Sequence, residues 1–177
     1  MRLVNLFLTA TAFLPGILAG QQSSKPADDI PRASDSANST QDSHSQMNER
    51  GEKGMGFSQT ATTHHFLLKP DGGIIQVDAN DPKNTVVRDS IRTHLTHITH
   101  AFAAGDFNIP MLVHDTEPPG VPEMKRLKDK ITYTFEQTPK GGRVRIITSD
   151  PAALEAIHNF LSFQIKEHQT KDSTTVQ

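Results

Sequence analysis

Pro70-Asp71-Gly72-Gly73-Ile74-Ile75-Gln76-Val77-Asp78-Ala79-Asn80-Asp81-Pro82 is echoed by Pro139-Lys140-Gly141-Gly142-Arg143-Val144-Arg145-Ile146-Ile147-Thr148-Ser149-Asp150-Pro151. Pro, Gly, Gly, Asp and Pro recur at one constant offset, which is the signature of a duplicated unit. The Pro-x-Gly-Gly segment reads as a turn: proline presets φ, and glycine supplies conformations that other residues resist. Apolar or alternating runs flank each turn, Phe66-Leu67-Leu68 with Ile75-Gln76-Val77 in one copy. Ile131-Thr132-Tyr133-Thr134-Phe135 with Val144-Arg145-Ile146 does the same in the other. Each copy therefore predicts a β-hairpin.

A helix follows each hairpin. Asp150 is placed to accept backbone N–H bonds as N-cap, and Pro151 falls at the first helical position, where its missing donor costs nothing. Copy one has about three extra residues here (Lys83, Asn84, Thr85), so its helix is expected to start near Thr85 or Val86. Ile91, Leu95, Ile98 and Phe102 form one apolar stripe, and Ala153, Ile157, Phe160, Leu161 and Ile165 form its counterpart. Ala103-Ala104-Gly105 ends the first helix, and the second runs to about His168. Between the copies Ile109–Val113 reads as a short strand, with Pro110 favouring an edge, and 122–130 as a short helix. The expected fold class is α+β, in the order ββα-β-α-ββα. It has a mainly antiparallel sheet, two long helices on one face and a pseudo-twofold relation between the copies.

Outward from this core the chain is polar. Arg2, the apolar run Leu3–Leu18 and the small exit Ala19-Gly20 form the three parts of a secretory signal peptide at 1–20. Export, to the periplasm or beyond, is the expected localisation, with no membrane span left after cleavage. Residues 21–55, rich in Ser, Asp, Asn and Gln, read as a disordered polar linker. One domain is expected over 56–170, and 171–177 as a frayed tail.

Composition removes several chemistries. The 177 residues contain no cysteine, which excludes thiolate catalysis, disulfides and Cys-ligated metals. With 18 basic and 20 acidic residues and no basic cluster, nucleic acid is not an expected partner. No Gly-x-Ser-x-Gly setting or phosphate loop occurs.

Nine histidines are the chemical oddity. Superposing the copies puts His64 on Tyr133, His94 on Phe160 and His168 on Phe102, so histidines stand where the other copy keeps aromatic rings. These are ordinary half-buried core rings on one reading. On the other, a helix packed back along its own hairpin brings His94 towards His64. The middle strand delivers His114 to the same rim, and His158 arrives from the second helix. His64, His94, His114 and His158 would then form a metal site suited to zinc or copper. His97 and His100 are expected to face water, and His65 the outer, polar sheet face with Gln76, Asp78, Arg143 and Arg145.

From Gly56-Phe57 onward the chain resembles a family of small exported bacterial proteins. The matching pieces are Thr63-His64-His65-Phe66, Asp71-Gly72-Gly73, His94-Leu95 with His97-Ile98, and Phe102-Ala103-Ala104-Gly105-Asp106-Phe107. Pro110-Met111 with His114, Pro118-Pro119-Gly120-Val121-Pro122, Phe160-Leu161 and Phe163-Gln164-Ile165 with His168 complete them. The resemblance implies an exported, periplasmic protein and carries over no catalytic residue. Some members bear an aspartate carbamoyltransferase label. This chain lacks a Ser-Thr-Arg-Thr-Arg carbamoyl-phosphate loop and is far shorter than the two-domain transferase.

The expected function is a non-enzymatic binding or accessory protein, with a histidine metal site as its sharpest form. The alternatives are a protein-interaction module or homodimer using the polar sheet face, and a small His-dependent enzyme.

Overall fold

The computed structural model describes residues 33–177. The signal peptide expected at 1–20 and the first part of the linker lie outside the described residues. The remainder is an α+β fold with five α-helices and one four-stranded antiparallel sheet. The helices are α1 (Ala33–Met55), α2 (Thr85–Ala104), α3 (Asn108–His114), α4 (Val121–Arg126) and α5 (Pro151–His168). The strands are β1 (Thr62–Lys69), β2 (Gly72–Ala79), β3 (Ile131–Gln137) and β4 (Gly141–Thr148). Among the described residues no helix is long and apolar enough to cross a membrane.

The duplication shapes the sheet. Its order is β1-β2-β4-β3, which reads the same from either side when the copies are exchanged. Ile75 pairs with Val144, its own counterpart, so the pseudo-twofold axis passes through that pair. The glycine pairs do not make the turns themselves. They begin β2 and β4, where the strands crowd: a Cβ on Gly72 (φ 144°) would lie 2.0 Å from the Ile146 carbonyl oxygen, and one on Gly141 would lie 2.2 Å from that of Val77. Only glycine permits such backbone approach.

Both helix starts follow from their caps. Asp150 Oδ1 accepts from the amides of Ala152 (2.9 Å) and Ala153 (3.1 Å), and Asn84 Oδ1 from that of Val87 (3.1 Å). Gly105, at φ 81°, closes α2. The apolar stripes meet the inner sheet face in one core that includes Ile91, Leu95, Ile157 and Leu161, each at most 1% exposed. Each helix, however, lies across the hairpin of the other copy: α2 packs mainly on β3 and β4, and α5 mainly on β1 and β2. Because the sheet pairs β2 with β4, the chain leaving β2 crosses the centre line before it can cover apolar surface.

Three expectations change. Residues 108–114 are helical, not a strand. Pro110 sits in the first turn of α3, where a helix needs no amide donor, and Pro110 and Val113 turn inward. From Ala33 the expected linker is α1, which packs against α3. Met47 is buried, and Arg50 Nε donates to the Val113 carbonyl (3.0 Å). Residues 171–177 are not a loose end. Asp172 accepts from the Phe66 amide and from His65 Nδ1, both at 3.0 Å, and the Gln177 amide donates to the Leu68 carbonyl (3.0 Å). The tail thereby covers the outer edge of β1.

Candidate functional site: an imidazole-lined cavity

The pseudo-twofold axis relates two aromatic clusters of different chemistry. On one side Phe102 packs on Tyr133 (ring centroids 5.9 Å) and on Phe160 (5.9 Å), with Phe107 stacked against Phe102 (4.3 Å). On the other, His168 replaces Phe102 and stacks on His64, the counterpart of Tyr133, at 5.7 Å with planes 9° apart. His94 replaces Phe160 and meets Phe57 edge-on at 5.6 Å. Where one half places Phe102, Phe160 and Tyr133, whose buried hydroxyl also lacks a hydrogen-bond partner, the other places imidazoles.

Beside the histidine cluster lies a cavity of about 70 Å³. The inner sheet face, α2 and α5 form its walls, and α3 with the end of α1 closes it. His64, His94, His114 and His168 line it together with Gln164, and every other lining residue is apolar. Met55, Gln164 and His168 line the cavity beyond the four histidines expected to form a metal site, and Phe57 packs against His64 and His94. Met47, Gly51 and Met55, at steps of four along α1, form the narrow docking stripe that could have revealed its part.

His158 is elsewhere. Its Nε2–H points at the carbonyls of Lys69 (3.0 Å) and Gly72 (3.1 Å) in the β1–β2 turn. In the other copy Arg92 donates to Thr138 O (2.8 Å) and Gly141 O (3.0 Å), the equivalent pair. His158 is therefore the counterpart of Arg92, a clasp between helix and turn. It reaches the turn end of β1 because α5 covers β1 with its start there and its end over His64. His64, His94 and His114 line one cavity, by a different route from the expected one: α2 crosses to the second hairpin, and α3, not a strand, presents His114.

Among the described residues no three His, Asp or Glu side chains are arranged to hold a metal ion.

Burial keeps these rings neutral. It pushes His64 down to about 4, with His65 adding a little, and His94 likewise to about 4, with His64 and His97 adding to the effect. His114 is also lowered, by burial first, although Gln164 and Glu167 favour its charged form. His114 Nε2 lies 2.9 Å from Gln164 Oε1. An amide oxygen only accepts, so the neutral ring carries its proton on Nε2 and its lone pair on Nδ1. That Nδ1, His64 Nε2 and Gln164 Nε2 are all buried without a hydrogen-bond partner.

His97 and His100 are exposed, as expected. The outer sheet face is polar but largely paired within itself. Arg143 bridges Glu136 (2.6 Å), Gln76 donates to Asp78 (2.8 Å), and Arg145 bonds Asp71 and the Gly73 carbonyl. No family model, no curated protein and no solved structure matches the chain.

Proposed function

We propose that this chain is an exported, non-enzymatic binding protein whose small-molecule ligand seats in the imidazole-lined cavity. One observation carries the reading: three buried polar atoms with no partner, His64 Nε2, His114 Nδ1 and Gln164 Nε2, belong to residues that line the same cavity. Each unmet group of this kind costs a fold about 1–3 kcal/mol. A ligand that supplies the missing bonds recovers that cost on binding.

Binding is favoured over catalysis by the lining itself. It offers no hydroxyl, amine or carboxylate as a nucleophile, and imidazoles held near 4 are weak bases at neutral pH. An organic ligand is favoured over zinc or copper because, among the described residues, no three His, Asp or Glu side chains are grouped to hold an ion. Export rests on the Arg2, Leu3–Leu18 and Ala19-Gly20 pattern.

Ring-nitrogen NMR of the histidines tests this directly. The neutral probes 2-pentanone and butyramide are expected to move the His64 and His114 signals and leave His100 unchanged. Silence from both probes, with Zn²⁺ or Cu²⁺ bound at micromolar concentration, would replace the organic reading by the metal one.

A further inference from the structure

Resting on that reading, we propose that the ligand is a chain ending in a neutral primary carboxamide, with the carboxamide inside the cavity and the chain running out past Met55 and His94. Size comes first. On the same measure one water needs about 10–15 Å³, so 70 Å³ admits an end group of several non-hydrogen atoms. The remainder of any larger ligand lies outside.

The path outward is built into the fold. A groove of about 570 Å³ runs between the end of α1 and the start of α2, bounded by Val86, Thr93 and His97 among others. Met55 and His94 line both the groove and the cavity, so these two side chains stand between them. Val86, 75% exposed, offers an apolar wall in the groove for a short chain.

The end group is read from the unmet polar atoms. Gln164 Nε2 only donates, and His114 Nδ1 only accepts while its Nε2–H is committed to Gln164 Oε1. A carboxamide presents one acceptor and one donor group and answers both. A ketone answers one. A carboxylate or an ammonium would bring an uncompensated charge into a lining that contains no Lys, Arg, Asp or Glu.

Titrations at pH 8, followed by calorimetry and by the His64 and His114 ring signals, compare hexanamide with acetamide, 2-heptanone, hexanoate and hexylammonium. Hexanamide is expected to bind at least roughly tenfold tighter than each of the others. In Gln164→Met, whose fold is checked by its melting curve, that advantage over 2-heptanone is expected to vanish. A blocked tripeptide with a central glutamine distinguishes the source: tighter binding than hexanamide assigns the carboxamide to a peptide side chain, weaker binding to a free amide, and both orders support the carboxamide. Hexanoate or hexylammonium matching hexanamide overturns the proposal, as does acetamide matching it. If 2-heptanone moves the His114 signals and hexanamide gains nothing over it, the carboxamide falls while the binding cavity stands. If no probe moves either ring, both fall.

Discussion

His64 shows how one substitution within a repeat changes what a position does. Its counterpart Tyr133 and His64 each bury a polar atom with no hydrogen-bond partner, but only His64 lines the cavity. The cost is visible in its proton affinity. An imidazole held near 4 when folded and titrating near 6.5 when unfolded binds fewer protons in the native state between those values. Stability contributed by the neutral ring is therefore full above pH 6.5, declines as pH falls, and is gone below about 4. At ~1.4 kcal/mol per pH unit the loss approaches roughly 3 kcal/mol for His64, and His94 adds to it. Urea unfolding at pH 7.5 and pH 4.5 should show a steep decline in the native protein, and His64→Phe should remove about half of that decline. Equal slopes in the two proteins would mean that the ring is not buried as described. That histidines replace aromatics was legible from the aligned copies. Which nitrogens lack partners was not, because that depends on the neighbours α1, α3 and α5 bring.

Among the elements, α5 was the most legible. Asp150, Pro151 and a continuous apolar stripe agree at every level, and the structure follows them. Replacing Asp150 with Ala removes the acceptor for two amides and should lower stability by about 1 kcal/mol, read as a shift of the denaturant midpoint at constant slope. A change in slope would point to altered compactness instead. α3 and α1 were misread for opposite reasons. Ile109–Val113 is too short for periodicity to separate strand from helix, and Pro110, read as favouring a sheet edge, is equally tolerable in the first turn of a helix. α1 is polar over most of its sequence and, among its described side chains, buries Met47, so a composition that suggests disorder coexists with a helix held by tertiary contact.

For the molecule as a whole, the two sheet edges are treated unequally. The tail lies along β1 through Asp172 and Gln177, which uses backbone groups an exposed edge would offer to another chain. Deleting residues 171–177 should lower the melting temperature by about 5 °C and promote concentration-dependent association, seen by calorimetry and sedimentation. An unchanged melting temperature and a monomeric truncated protein would show the contact to be incidental. The same asymmetry runs through the interior, where Phe102 and Phe160 of one aromatic cluster and His64, His94 and His168 of the other line one cavity.

The sequence by itself determined the duplicated hairpin–helix unit, the helix caps, the inward stripes and the excess of histidine at aromatic positions. All of these are local: a turn, a cap or a period is set by residues a few places apart. Only the tertiary structure decided that each helix covers the other copy's hairpin, that His158 clasps a turn as Arg92 does, and that α1 and α3 close a cavity over His64, His94 and His114. Those outcomes depend on which strands pair at the centre of the sheet, and that pairing is settled by burying the apolar faces of both copies together.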